Sequence, residues 1–294
     1  MAATEQQGIN DMPRMIGQEM PVEQQAQLIR FAKVGLKWVS GEVSFDDVTK
    51  MLGQPKAFEG ANKTDFAYFP PGMTVDFYVD KLHVIDGKPR IDFFRIQVDD
   101  NVRTNIPRET IQENLELRPV IKGESIDGVR TERRDFFVPE GRIVIQPINR
   151  DAVGFNFRKT MPNDSLFDVT VGTGYVGEWI KEDAEPKLGN LRKASDLRDL
   201  YISRHYLTPE EIEERNFAKR KQYGYMKLRT GMLCPETGWW EGWAAEGQID
   251  KQVVRQNTLF PQAGFGPNRS APDGARFVDA QWMWHGPYHD ETSQ

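Results

Sequence analysis

Cysteine is almost missing from this 294-residue chain: Cys234 is the only one. A single thiol excludes an intramolecular disulfide, and neither a Cys₄ nor a Cys₂His₂ zinc site can be assembled within one chain. Histidine is scarce as well, with His83, His205, His285 and His289 scattered along the sequence. Only His285 and His289 stand at the i,i+4 spacing of a helical metal pair, and Gly286-Pro287 between them interrupts such a helix. Long apolar runs are missing: no stretch approaches the roughly 18 residues of a membrane span, so no membrane partner is expected. The opening MAATEQQGINDMPRMIGQEM has no basic segment followed by an apolar one, so no secretory signal is expected and a cytoplasmic location is. Basic charge is not in excess. Lys and Arg total 38 against 44 Asp and Glu, a net charge of −6, the reverse of a nucleic-acid binder's basic footprint. No nucleic-acid partner is expected; a small ligand or a basic protein partner fits the charge.

What the chain does have is material for a core. Seventeen Phe, eight Tyr and seven Trp, with 38% hydrophobic residues overall, exclude a wholly disordered chain. The length suits about two domains. Residues 1–20 are polar and read as a flexible arm. From Val22 to about Val39, Leu28, Ile29, Ala32, Leu36 and Val39 recur at helical spacing. A shorter helix follows, with Ser44 as cap, Asp47 at the capping-box position and Gly53 before Pro55 at its end. The pattern then changes to strands at Phe66–Phe69, Thr74–Val79, Leu82–Ile85 and Ile91–Val98, with Asp86-Gly87 as a turn. A helix is expected from Asn105 to about Leu117, then strands at Arg142–Ile148, Val153–Arg158 and Leu166–Val171. Residues 21–178 therefore read as an α+β domain of helices packed on an antiparallel sheet.

From 179 to 223 the sequence is charged and reads as a helical connector. Its second helix is well marked: Thr208 caps it, Pro209 opens it, Glu211 completes a capping box, and Gly224 is the expected stop. Residues 224–294 differ again, with five of the seven tryptophans set among Gly and Pro. Strands are expected at Tyr225–Leu228, Trp239–Trp243, Lys251–Arg255 and Gln281–Trp284, forming a small Trp-rich antiparallel β-module.

Gly172-Thr173-Gly174-Tyr175-Val176-Gly177 matches GxGxxG, yet the fingerprint needs a following helix, and Pro186 soon interrupts the segment after it. Glu178, Glu182 and Asp183 also oppose a phosphate, so the stretch reads as a turn or strand end and no cofactor is expected. Around Ser125, Gly123-Glu124-Ser125-Ile126-Asp127 lacks the second glycine of a nucleophile elbow. Cys234 precedes Pro235 with no basic neighbour to activate it, so it reads as a buried structural thiol. No catalytic residue and no metal ligand is assigned.

One segment stands apart: Gly231-Met232-Leu233-Cys234-Pro235-Glu236-Thr237-Gly238-Trp239-Trp240. Proline and glycine fix a turn that leads into an aromatic strand, with Gly238 free to take a positive φ. Adjacent tryptophans in a strand point to opposite faces, so one enters the core while the other reaches a surface. Phe260-Pro261 and then Trp282-Met283-Trp284 follow, the last two tryptophans sharing a face. Cys234, Pro235, Gly238, Trp239, Phe260, Pro261, Trp282 and Trp284 are taken as scaffold. Trp240, Glu241 and Trp243 are taken as partner-contacting residues.

This Cys-Pro-x-Thr-Gly-Trp-Trp order, with Phe260-Pro261 and Trp282-x-Trp284 behind it, resembles a C-terminal module of bacterial immunity proteins. These proteins accompany effectors of polymorphic-toxin and type VI secretion systems. The resemblance covers roughly Leu228 to Trp284. It departs from the pattern in the insertion from Gln262 to Asp273, and in Asn257, where similar sequences tend to have glycine. The resemblance implies a non-enzymatic protein that binds and neutralises a cognate toxin, and an unexported inhibitor implies a toxin acting in the cytosol. An acidic inhibitor would suit the basic cleft of a nuclease or nucleotide-consuming toxin. The alternatives are a hydrolase built on Ser125 or Cys234, and a structural adaptor of a secretion or phage apparatus.

Overall fold

A computed structural model describes residues 17–85, 88–118, 137–139, 144–145, 152–162, 165–179, 191–267 and 270–288. The fold is α+β, with helices packed on predominantly antiparallel sheets. The backbone forms two compact units, one of Met1–Thr160 with Val169–Arg204 and one of Met161–Asp168 with His205–Gln294. No helix among the described residues is long and apolar enough to cross a membrane.

The first unit opens with β1 (Gln18–Glu19), α1 (Val22–Ser40), α2 (Phe45–Leu52), β2 (Lys56–Glu59) and β3 (Lys63–Tyr68). The long strands β4 (Met73–Ile85) and β5 (Lys88–Val98) come next, then β6 (Val102–Arg103) and α3 (Arg108–Asn114). After them come β7 (Val138–Pro139), β8 (Val144–Ile145), β9 (Ala152–Lys159), β10 (Phe167–Trp179) and β11 (Leu191–Tyr206). One sheet collects most of these in the order β2-β3-β4-β5-β11-β10-β9-β7, with β8 also paired to β9. The expected arm is anchored at its end: β1 pairs in parallel with β6, and Met20 is buried. Asp86-Gly87 and Ser125 lie outside the described residues.

Helix α1 forms where the apolar spacing places it and lays Leu28, Phe31, Val34, Trp38 and Val39 against the sheet. Its C-terminus is closed by Gly41 at φ 83°. The Ser44–Asp47 capping box of α2 is formed in both directions, at 3.2 Å each way. Trp38, Phe77 and Phe94 pack edge to face, with centroids 5.2 and 4.9 Å apart, and centre the core between α1 and the sheet. Along β4 and β5, Met73, Val75, Phe77, Phe94, Ile96 and Val98 face that core. The alternate residues point away from it, as the pleat requires.

The expected helical connector is corrected. Residues 191–206 are strand β11, paired antiparallel with β5 through Leu200↔Ile96 and Ile202↔Phe94. Leu197 and Leu200 are both buried at a spacing of three, which imitates a helical stripe, while charged residues obscure the strand's alternation. Their charge is used locally: Asp196 accepts from the Thr104 amide at 2.7 Å, and Arg198 donates to the Val102 carbonyl at 2.9 Å.

The second unit contains α4 (Pro209–Met226), β12 (Gly238–Ala244), β13 (Gly247–Val254), β14 (Ala263–Gly264), β15 (Phe277–Val278) and β16 (Gln281–Pro287). The Thr208–Glu211 capping box starts α4. The helix passes through Gly224 and ends at Lys227, at φ 48°, so Tyr225 and Met226 are helical rather than in the expected strand. Strands β13-β12-β16 form an antiparallel sheet, and β14-β15 a small ribbon.

Candidate functional site

The Cys-Pro-Glu-Thr-Gly segment is held from its neighbouring loop. Residues 231–234 run antiparallel to 257–260: the Cys234 amide donates to the Thr258 carbonyl at 2.8 Å, and the Phe260 amide to the Met232 carbonyl at 2.8 Å. Asn257 turns the returning chain at φ 61°. That conformation favours glycine and tolerates asparagine, which accounts for the departure at this position. Gly238 is not in the left-handed region expected of it. It is needed for space, because a Cβ there would enter the Trp284 ring.

Behind the turn lies an aromatic core. Trp240 meets Trp284 edge to face at 5.2 Å and Phe260 at 4.9 Å, and Phe260 stacks on Trp282 at 5.5 Å. Tyr223 of α4 completes it, 5.2 Å from Trp240. The indole N–H groups of Trp240 and Trp282 donate to the Glu236 and Pro261 carbonyls, each at 3.1 Å. Trp282 and Trp284 share the inward face.

The two adjacent tryptophans do point to opposite faces, but the roles assigned to them are reversed. Trp240 is fully buried, so it is core rather than contact surface. Trp239 is only half-buried, with Tyr288 against it and the Lys251 ammonium 5.4 Å from its ring. Alternation fixes that neighbours diverge, not which one goes inside. Pairing with β16 decides it by setting Trp240 opposite Trp284 and Gly242 opposite Trp282.

Glu241 is likewise not a free surface residue. It is 7% exposed. It accepts from Arg220 at 2.7 Å and Trp243 Nε1 at 3.1 Å, with His285 Nδ1 at 2.9 Å. Burial pushes its carboxyl upward, and the hydrogen bonds from Arg220, His285 and Trp243 outweigh this and leave it lowered. On the other side of the imidazole, Lys251 Nζ lies 2.7 Å from Nε2. An ammonium can only donate, so Nε2 accepts and Nδ1–H is given to Glu241. Trp243 is half-buried and oriented by this network.

Cys234 is completely buried, and its Sγ donates to the Glu236 carbonyl at 3.0 Å. Burial pushes its thiol up to about 11, so the nucleophilic thiolate is not populated at neutral pH. Glycines 172 and 174 sit in strand β10, paired antiparallel to β9, rather than in the strand–turn–helix of a dinucleotide site.

No protein-family model, curated protein or solved structure matches this chain.

The residues that converge on the module were only partly legible. Lys219 and Tyr223 are both buried, and both bond the Glu236 carboxylate. Their i,i+4 spacing was the available signal, hidden within a run of charges. Arg220 and His285 give no sequence signal for Glu241, because the contacts span 21 and 44 residues. Leu233 and Leu259, bridge partners beside the motif, are 61% and 60% exposed. They form an apolar pair at the surface next to the rigid turn.

Proposed function

We propose that this chain is a non-enzymatic immunity protein that binds and neutralises a cognate bacterial toxin acting in the cytosol. The observation that carries the reading is the exposed Leu233–Leu259 pair, set beside the Cys-Pro-x-Thr-Gly motif and held by a rigid tryptophan core. Apolar anchors on a preorganised surface are what a tight protein contact requires, since little side-chain entropy is lost on docking. The motif's resemblance to immunity modules and the net charge of −6 support the same reading. Trp239 and Trp243, both half-buried, take the place of Trp240 as the aromatic contacts of this reading.

The test is co-expression with the toxin encoded beside this chain in a bacterial host. Restored growth, with a one-to-one complex by light scattering, is the expected outcome. A toxin that kills regardless of this chain, with no complex formed, refutes the reading. Leu233→Asp with Leu259→Asp should abolish the complex while leaving the fold intact.

A further inference from the structure

The large sheet of the first unit ends at β2, which pairs with β3 on one side only. At the β2–β3 turn the Gly60 amide donates to the Lys63 carbonyl at 2.9 Å. Bonded pairs alternate along an antiparallel ladder. Phe58↔Asp65 and Lys56↔Ala67 are therefore bonded pairs, and Ala57 and Glu59 turn their amides and carbonyls away from β3. Those four groups meet no backbone partner among the described residues, and all of β2 is exposed. Such an edge is a template for another strand. The edge strand of the small sheet, β13, is treated differently: the Asp250 carboxylate accepts from the Lys251 and Gly264 amides and closes it. Beside the open edge stand two exposed rings, Phe58 and Phe69, 52% and 55% exposed and 6.4 Å apart.

We propose that β2 pairs antiparallel with β2 of a second copy of this chain, about a two-fold axis at Phe58. Only registers that set Ala57 or Glu59 opposite one another join outward groups to outward groups. Centring the axis on Ala57 runs the end pairs onto Pro55, which lies outside β2 and has no N–H. Centring it on Glu59 sets two carboxylates opposite each other. Centring it on Phe58 keeps the pairing within β2. Ala57 and Glu59 of each copy then exchange amide–carbonyl bonds with Glu59 and Ala57 of the other.

The side chains fit this register. Phe58 meets its counterpart across the axis in a non-bonded pair, where side chains lie closest. Lys56 faces glycine 60 of the copy, and Glu59 faces alanine 57, so each long side chain meets a small one. Glu59 already accepts from Lys81 and Thr64 in its own chain, which reduces its repulsion of the copy. The contact is isologous and uses the same edge on both copies, so it closes at two. Its small extent makes the dimer weak and dependent on concentration. This inference does not rest on the immunity reading.

Light scattering by the full chain from about 10 to about 500 µM should show the mass rise from monomer toward dimer. Ala57→Pro removes an outward N–H and leaves the β2–β3 ladder intact, so it should melt as wild type and stay monomeric. Phe58→Cys tests the register. The two introduced thiols face each other with Cα atoms about 4.5 Å apart, within disulfide range. Cysteines from Lys56→Cys would lie about 14 Å apart along the paired strands, beyond it. Cys234 is buried and adds no background. Under mild oxidation Phe58→Cys should give covalent dimer about tenfold faster than Lys56→Cys. A full chain monomeric throughout the range, or a dimer that survives Ala57→Pro, overturns the pairing. Equal cross-linking by the two cysteine variants overturns the register.

Discussion

Gly238 lies directly beneath the indole of Trp284, so close that any side chain at 238 would occupy the ring's place. The motif's glycine and the last tryptophan, far apart in sequence, are parts of one contact. Strand β12 can enter the module only because nothing projects from it there.

Gly238→Ala should therefore destabilise the protein by about 2 kcal/mol, within the range for overpacking a tight core. Chemical denaturation of the full chain measures it. A loss under half that size would mean that the Trp284 ring can move aside.

The two neighbouring tryptophans should separate sharply. Trp240→Ala opens the centre of the aromatic core and should cost about 3–5 kcal/mol. Trp239→Ala removes a half-buried ring and should cost about 1 kcal/mol. Equal losses would contradict the assignment of faces.

Cys234 should not react with a thiol reagent in the native state and should react fully once the chain is unfolded. Its burial and its raised thiol, at about 11, both oppose thiolate formation. Rapid stoichiometric labelling of folded protein would show that the turn opens.

Asp76 makes stability depend on pH. Burial first, and the neighbouring Asp65 second, push its carboxyl up to about 6, against an ordinary value of 3.8; Arg95 pulls the other way. A raised carboxyl is neutral and costs nothing below its unfolded value. Its stabilising contribution is lost as pH rises through about 6. Wild type minus Asp76→Asn should therefore fall between pH 4 and pH 7 by roughly 2 kcal/mol, after allowance for partial solvation. Asp76→Asn should melt higher than wild type at pH 7.5. Parallel stability curves for the two proteins would show that Asp76 is solvated after all.

The elements that local chemistry specifies were legible. Ser44 with Asp47, and Thr208 with Glu211, cap helices through contacts three residues apart, and the apolar spacing of α1 fixes its buried face. Strands β4 and β5 carry aromatic and β-branched residues in sufficient density to be recognised. Strand β11 was not legible, because its charges bond to residues about a hundred positions away, as Arg198 does to Val102. Locally those charges resemble the surface of a helix.

The sequence by itself determined that one of Trp239 and Trp240 goes inward, that Trp282 and Trp284 share a face, and that Cys234 forms no internal disulfide. Those follow from strand geometry and from counting. Only the tertiary structure decided that Trp240 is the buried one, that Glu241 is bound by Arg220 and His285, and that Asp76 is buried with Arg95 opposite it on the neighbouring strand. Each depends on which strand or helix lies alongside. The pleat repeats every two residues and treats its two faces alike until pairing makes one of them the core.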